Sequence, residues 1–168
     1  MERVLVLGPP GAGKSRLARQ IAEITGLPLV HLDQHYWRPG WREPAAEIWA
    51  AQVAELIVAP RWVMDGNYGG TLPQRLAAAD TAILLDMPTW LCFLRVLRRI
   101  IASYGRTRPD LAPGCPERFD IEFLLYVCRY RRRDRPRHMS AAVAFGGSLI
   151  RLSGCAEVAA FIRTLTAR

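Results

Sequence analysis

The chain has little cysteine and histidine, and it has no long apolar run. Its 4 cysteines form no C-x-x-C pair, and its 3 histidines do not have the spacing of metal ligands. These features argue against a disulfide framework and against a zinc module. No run of about 18 apolar residues is present, so we expect no membrane span and no membrane partner. The first apolar run begins at Arg3, which predicts a cytoplasmic protein without a signal peptide.

Lysine is also scarce, because Lys14 is the only lysine among 23 basic residues. It lies in a stretch that matches the P-loop pattern G-x-x-x-x-G-K-[ST] in full. In such a loop, backbone N–H groups bind a polyphosphate at the start of a helix. The slim ammonium of lysine fits over the phosphates, whereas a planar guanidinium does not. The predicted site for a nucleoside triphosphate consists of Gly8, Pro9, Pro10, Gly11, Ala12, Gly13, Lys14, Ser15 and the adjacent Arg16.

Apolar runs alternate with helical patterns along the whole chain. This alternation predicts an α/β fold with a parallel sheet and ligands at the carboxyl ends of its strands. We expect five strands, at residues 3–7, 29–32, 62–64, 81–85 and 148–152. We expect helices at residues 15–24, 45–58, 72–78, 90–103, 117–130 and 136–145 and after residue 154, with a loop rich in proline and glycine at residues 104–116.

Three of the expected strands are followed by an aspartate, at Asp33, Asp65 and Asp86. The carboxyl ends of parallel strands meet at the edge where the P-loop opens, so these carboxylates should lie near the phosphates. Asp65 then helps to position Mg²⁺, of which the Ser15 hydroxyl is the predicted ligand. For Asp33 and Asp65 we favour such a functional role over helix capping. For Asp86, which precedes Met87-Pro88, we favour capping.

The positive charge is concentrated in one segment. The chain carries a net charge of +8, and residues 95–137 contain 12 arginines and 5 acidic residues. Such an excess predicts an anionic ligand, either nucleotide phosphates or nucleic acid. Four aromatic residues of the segment recur at i, i+4, i+7 and i+11, which favours packing in a helix over stacking on bases. These residues are Phe119, Phe123, Tyr126 and Tyr130.

An aromatic segment follows Asp33 at residues 35–41. Its two tryptophans and its arginine can hold a flat ring and an anionic group of a phosphoryl acceptor. They can equally form a hydrophobic flap that packs on the next helix, and both interpretations remain open. The candidate acceptor residues are Asp33, Trp37, Arg38, Gly66, Asn67 and Tyr68.

The chain resembles the P-loop small-molecule kinases of the adenylate kinase and shikimate kinase kind over nearly its whole length. Asp65-Gly66-Asn67-Tyr68 stands where adenylate kinases have an Asp-Gly-Phe-Pro turn, although the arginine that clamps a monophosphate there is absent. Arg95 and Arg99, four residues apart on one helix face, match a pair that packs on adenine and reaches the phosphates. The resemblance implies a single three-layer P-loop NTPase domain over residues 1–168, with five parallel strands, a helical lid at about residues 104–135, and ATP and Mg²⁺ as cofactors.

The chain also resembles the bacterial family of DNA topology modulation proteins. That resemblance rests on Leu32-Asp33, on residues 37–41 and 65–69, and on Pro113 to Asp120. We therefore weigh a kinase that acts on a nucleoside monophosphate or a small hydroxyl compound against a DNA-associated ATPase that modulates DNA topology. We favour the kinase over both this ATPase and a regulatory protein without turnover. The candidate catalytic residues of the kinase are Lys14, Asp33, Arg99, Arg133 and Arg135.

Overall fold

A computed structural model describes residues 1–167 and contains one five-stranded sheet. Every pair of neighbouring strands is parallel, and the strand order is β2-β3-β1-β4-β5. The predicted α/β fold with a five-stranded parallel sheet is confirmed. The strands are β1 (Arg3–Leu7), β2 (Leu29–His31), β3 (Trp62–Asp65), β4 (Thr81–Leu85) and β5 (Ser148–Leu152).

Helices cover both faces of the sheet and make it the middle of three layers. Successive side chains of a strand point to opposite faces. In β1, Val4 and Val6 enter one buried apolar cluster, and Leu5 and Leu7 enter the other. The helices are α1 (Lys14–Thr25), α2 (Leu32–Tyr36), α3 (Ala46–Ile57), α4 (Leu72–Ala78), α5 (Thr89–Ser103), α6 (Ile121–Arg133), α7 (Arg135–Val143) and α8 (Cys155–Thr166).

The central position of β1 determines which strand ends meet the P-loop. Val6 of β1 is in register with Asp65 of β3 on one side and with Ile83 of β4 on the other. His31 at the end of β2 is in register with Asp65 from the far side of β3. The loop after β1 therefore opens beside the carboxyl end of β3, as the positions of the aspartates predicted.

Two helices differ from the prediction. The short helix α2 was not predicted, and it places Asp33 in a first helical turn instead of a strand-end loop. Helix α6 was expected to begin at Glu117, but it begins at Ile121 because Asp120 caps it by accepting a hydrogen bond from the backbone N–H of Phe123. It continues to Arg133 through residues that favour helix, so this arginine lies on α6 and not at the predicted joint.

The loop between α5 and α6, residues 104–120, packs against the aromatic segment at residues 35–41. Gly40 donates a backbone hydrogen bond to Gly114 at 2.8 Å, and the Trp41 indole donates to the carbonyl of Pro116 at 2.9 Å. This loop and α6 correspond to the predicted lid at about residues 104–135, whose movement stays a prediction. No helix within residues 1–167 has the length and hydropathy that a membrane crossing needs.

Candidate active site

The P-loop connects β1 to α1 through residues 8–13, and glycine is required at its turns. Gly8, Gly11 and Gly13 have φ values of +143°, +80° and +96°, which L side chains rarely adopt. A Cβ on Gly11 would also meet the carbonyl oxygen of Cys92 in α5. Helix α1 begins at Lys14 directly after the loop, so its N-terminal N–H groups face the space that the loop encloses.

Lys14 lies half-buried above this loop, and its ammonium is available for an anionic ligand. Its Nζ donates a hydrogen bond to the carbonyl of Pro9 at 3.1 Å, and it forms no ion pair within residues 1–167. Burial lowers the pKa of Lys14, while the charges of Asp33 and Asp65 act in the opposite direction. The two carboxylates are therefore close enough to interact with the ammonium but do not occupy it.

Asp65 connects the P-loop to the end of β2. Its Oδ2 accepts a hydrogen bond from Ser15 Oγ at 2.7 Å, and its Oδ1 contacts His31 Nδ1 at 2.5 Å. Although burial opposes it, the hydrogen bond and the charge of Asp65 raise the pKa of His31. A hydroxyl beside a carboxylate suits Mg²⁺, which takes few protein ligands and completes its shell with water and phosphate oxygens. Ser15 and Asp65 thus fit the ion that the sequence analysis assigned to them.

The loop after β3 contacts both the P-loop and Asp33. The Asn67 amide accepts a hydrogen bond from the Gly8 N–H at 3.1 Å and donates one to the Gly8 carbonyl at 2.8 Å. The Tyr68 hydroxyl donates to Asp33 Oδ1 at 2.5 Å. Burial raises the pKa of Asp33, and this hydrogen bond opposes the increase. One short loop therefore holds a backbone group of the nucleotide site and a carboxylate on the other side of the cavity.

The aromatic segment supplies a wall of the cavity and also packs on α3. Trp37 and Trp41 line the cavity, with their ring centroids 5.3 Å apart. Tyr36 packs edge-on against Trp49 of α3 at 5.0 Å. Arg38, a predicted acceptor residue, is exposed and donates to Gln52 Oε1 of α3 at 3.3 Å. Both interpretations of this segment therefore describe part of its structure, and its arginine points away from the acceptor side.

Arginines from α5 and the following loop line the cavity that contains the P-loop. Arg95 Nη1 donates to the carbonyl of Ala12 in the P-loop at 3.4 Å. Arg99 Nη2 lies 3.2 Å from Glu117 Oε1, and Arg108 Nε lies 2.8 Å from Glu117 Oε2. All three arginines line the main cavity, as does Arg16 at the start of α1. Glu117 therefore holds two cations beside the site.

The two arginines predicted beyond the lid lie elsewhere. Arg133 is exposed at the end of α6, and neither it nor Arg135 lines the main cavity. Arg135 instead donates two hydrogen bonds to Asp86, each at 2.7 Å, and Arg151 binds the same carboxylate. Asp86 does not cap α5, so the capping interpretation was wrong. Its actual partners were not foreseeable because Arg135 and Arg151 are 49 and 65 residues away in the sequence.

The sequence analysis missed three residues that line the site or contact residues of it, which are His31, Arg75 and Arg108. His31 is distinguished only by its position at a strand end two residues before Asp33. Arg108 lies in a loop, where sequence periodicity gives no signal. Arg75 lies between Leu72 and Leu76 in the apolar helix α4, where an arginine is unexpected. That anomaly was the one signal available for it.

The nucleotide and acceptor sides open into one cavity, lined by Lys14, Asp33, Asp65, Arg99 and Arg108 among others. No protein-family model and no curated protein sequence matches the chain. Among solved structures, it is similar to a shikimate kinase from Bacteroides thetaiotaomicron, with 16% identity and a TM-score of 0.60 over 99% of this chain and 97% of that one.

Two further solved structures give the same result. A shikimate kinase from Acinetobacter baumannii, in complex with shikimate, is 15% identical with a TM-score of 0.60 over 98% of this chain and 90% of that one. A gluconokinase from Sinorhizobium meliloti 1021 is 15% identical with a TM-score of 0.54 over 99% and 90%. The chain has the P-loop kinase fold. The comparisons support the kinase resemblance at the level of the fold and do not show the DNA topology modulation family.

Proposed function

We propose that the protein is a kinase that transfers the γ-phosphoryl group of Mg–ATP to a hydroxyl group of a small acceptor in the cytoplasm. The observation that carries the proposal is the single cavity that contains both the P-loop and the Asp33 carboxylate. A protein that only hydrolyses ATP has no need of a carboxylate on the other side of this cavity from the P-loop. The solved structures that share this fold include shikimate kinases and a gluconokinase, which supports a small acceptor.

Each side chain has a role that follows from its place. Lys14 would neutralise charge on the β- and γ-phosphates, and the P-loop N–H groups would hold them. Ser15 and Asp65 would hold Mg²⁺, which supplies charge neutralisation at the phosphate oxygens when bound. Arg99 and Arg108 line the same cavity, and their positive charge would stabilise the transferring group. These contributions are positioning and electrostatics, which is what phosphoryl transfer needs.

Asp33 would receive the acceptor's proton. Its Oδ1 is occupied by the Tyr68 hydroxyl, which leaves Oδ2 for a hydroxyl of the acceptor. As the acceptor oxygen forms its bond to phosphorus, the bond from phosphorus to the β–γ bridging oxygen breaks, and the hydroxyl proton moves to Asp33. ADP leaves with the bridging oxygen. A carboxylate that orients and deprotonates a hydroxyl is worth roughly 10²–10⁴ in rate.

The acceptor is a hydroxyl compound in preference to a nucleoside monophosphate. The turn at residues 66–68 contains no arginine, and Arg38 points toward Gln52 on the surface of α3. An acceptor phosphate would therefore lack the arginine clamp that the resemblance to adenylate kinases would require. The aromatic wall formed by Trp37 and Trp41 suits a ring or a carbon skeleton better than a second phosphate.

The test is the production of ADP from Mg–ATP with a panel of acceptors. The panel contains shikimate, gluconate, nucleosides, nucleoside monophosphates and duplex DNA, with Lys14→Ala as the blank. We expect one class of hydroxyl compound to stimulate ADP formation and to become phosphorylated, and Lys14→Ala to abolish both. ATP hydrolysis at one rate whatever is added would refute the kinase.

A DNA-associated ATPase is the second candidate, and one observation favours it. The exposed residues Arg129, Arg131, Arg132 and Arg133 of α6 form no ion pairs within residues 1–167. A row of unpaired arginines can bind a phosphate backbone. In the panel above, stimulation by duplex DNA alone would support this candidate and reject the kinase.

A further inference from the structure

Arg75 is fully buried in α4, and the proposed chemistry does not use it. Its exposed fraction is 0%, and it pairs with no carboxylate within residues 1–167. Burial lowers its pKa to about 10, so it remains charged at neutral pH. A buried cation without a carboxylate partner is costly unless other groups satisfy its hydrogen bonds.

Those hydrogen bonds all go to the loop after β3. The Arg75 guanidinium donates to the carbonyls of Gly66 at 2.9 Å, Asn67, and Tyr68 at 2.9 Å. Its Nε donates to Thr71 Oγ1 at 3.3 Å. Three successive carbonyls therefore turn toward one side chain, and the planar fork of arginine can hold all of them at once.

The conformation that these bonds hold is strained. Tyr68 has φ +32° and ψ 73°, in the left-handed region that a bulky residue rarely adopts. Gly66 has φ +138°, and a Cβ there would meet the side chain of Leu32. A strained loop persists only when its surroundings determine its conformation. Thr71 donates to the Tyr68 carbonyl from its N–H and its hydroxyl, and the Arg75 guanidinium is the group that binds all three carbonyls of the loop.

Two side chains of the same loop form hydrogen bonds to different sides of the cavity. From Asn67, two hydrogen bonds reach the backbone of Gly8 at the entrance of the P-loop. From Tyr68, one hydrogen bond reaches Asp33 Oδ1 on the acceptor side. The backbone positions of both residues depend on the same guanidinium.

We propose that Arg75 is a positioning residue that couples the nucleotide site to the acceptor carboxylate, because it fixes the loop from which Asn67 holds Gly8 and Tyr68 holds Asp33. The acceptor half of this inference rests on the proposed kinase function, and the nucleotide half does not. Arg75 acts only through other residues, since it does not line the main cavity.

Single substitutions test the hydrogen bonds to Gly8 and to Asp33 separately. Asn67→Ala removes the bonds to Gly8, and we expect the Kd for Mg–ATP, measured by calorimetric titration, to rise about tenfold. Tyr68→Phe removes only the hydroxyl, and we expect an unchanged Kd for Mg–ATP with a roughly tenfold lower kcat. Arg75→Met should produce both effects.

A double variant tests the coupling itself. If Arg75 acts through Asn67, the variant combining Arg75→Met and Asn67→Ala should bind Mg–ATP no more weakly than the weaker of the two single variants. Independent contributions would instead multiply the two losses, to about a hundredfold. That multiplied loss would overturn the proposal.

Leu76→Ala is the matched control for lost stability. Leu76 is 8% exposed, follows Arg75 in α4 and belongs to an apolar cluster. The substitution should lower the unfolding temperature without changing the Kd for Mg–ATP. If Arg75→Met, at a comparable loss of unfolding temperature, changes neither Kd nor kcat, the role of Arg75 is structural only and the proposal is wrong.

Arg75→Lys keeps the proposal testable should Arg75→Met not fold. Lysine retains the charge but cannot present a planar fork to three carbonyls, so we expect a folded protein with intermediate losses in both Kd and kcat. Wild-type values for both would refute the coupling. If the wild-type protein phosphorylates no acceptor, the kinase proposal fails, whereas the Kd values for Mg–ATP still decide the nucleotide half.

Discussion

Gly11 illustrates how a single backbone position limits the P-loop. Its φ of +80° resembles the +68° of Gly26 at the end of α1, but a Cβ on Gly11 would meet the backbone of Cys92, whereas a Cβ on Gly26 would meet nothing within 4 Å. A comparison of the two glycines therefore separates the effect of backbone strain from the effect of a close contact between the loop and α5. The second constraint ties the loop to α5, which also carries Arg95 and Arg99.

We expect Gly11→Ala to lower both stability and nucleotide affinity, because α5 or the loop must move. Gly26→Ala should cost only about 1 kcal/mol of unfolding free energy, from the left-handed conformation alone, and should leave the Kd for Mg–ATP unchanged. Urea unfolding and ATP titration of both variants check this. A Gly11→Ala protein with wild-type affinity would show that the contact with Cys92 is dispensable.

Asp86 provides a prediction about pH. Hydrogen bonds from Arg135, and then from Arg151, lower its pKa from the usual 3.8 to about 2. A carboxylate whose pKa is depressed in the folded state stabilises that state above its unfolded pKa, and the stabilisation is lost as the pH falls toward the folded pKa. After discounting for the partly exposed Arg151, the contribution at neutral pH is about 1–2 kcal/mol.

We therefore expect Asp86→Asn to lower the unfolding free energy at pH 7 and to make progressively less difference between about pH 4 and pH 2. Urea unfolding across this range measures the difference. Glu2→Gln is the control, since the Glu2–Arg61 pair is more than half exposed and should contribute little at any pH. An Asp86→Asn effect that is constant with pH would show that the ionised Asp86 carboxylate is not the source of the stabilisation.

The residues of the site differ in whether a short sequence pattern indicates them. Lys14 and Ser15 belong to a motif of consecutive residues, and Asp65 follows an apolar run, so a sequence pattern is enough to indicate them. His31 has its role because of a partner that the fold brings to it, Asp65, which is 34 residues away. No local pattern contains that information.

Elements were predictable wherever their own residues determine them. The strands at residues 3–7, 81–85 and 148–152 agree with the predicted bounds because their apolar runs end at turn residues. Helix α2 has only five residues, too few to show a helical period. The start of α6 depended on whether residues 117–120 pair elsewhere, and Glu117 does pair, with the backbone of Gly105 and Arg106.

A buried carboxylate, Glu117, joins the loop at residues 104–120 to α5. Glu117 pairs with Arg99 of α5 and with Arg108 of the loop, and its side chain is 4% exposed. Glu117→Gln removes the charge that pairs with Arg99 and with Arg108, while Asp110 still pairs with Arg108 at 2.7 Å. We expect the loop to open more often and trypsin to cleave after the exposed Arg106 about tenfold faster.

Mass spectrometry of timed digests measures that cleavage. Glu122→Gln is the matched control, because Glu122 is exposed at the start of α6 and forms no ion pair in the described part of the chain. Equal cleavage rates in both variants would show that Glu117 does not hold the loop.

Across the whole molecule, the alternation of strands and helices was sufficient to predict three layers and a parallel sheet. The strand order β2-β3-β1-β4-β5 was not predicted, because it depends on where each crossover returns and not on the composition of any strand. That order is what brings His31 and Asp65 to the P-loop. The sequence therefore predicted where the site lies but not which hydrogen bonds it contains.

The overall charge of +8 predicts weak binding to any polyanion. Such binding falls steeply as salt is raised from about 50 to about 200 mM, whereas nucleotide held in a partly enclosed cavity is screened less. We expect duplex DNA to be released over this range while kcat with the small acceptor changes by less than about twofold. DNA retention accompanied by DNA-stimulated turnover at the higher salt would favour the ATPase.

Because Lys14 is the only lysine, a covalent reagent can label the phosphate site selectively. Acylating reagents react with unprotonated amines, and Lys14 is the only lysine side chain that this sequence offers them. Burial lowers the pKa of Lys14, which increases the fraction of reactive amine at neutral pH. A nucleotide that ends in an acyl phosphate should therefore label one side chain, and the label would report occupancy of the site in a mixture of proteins before the acceptor is identified.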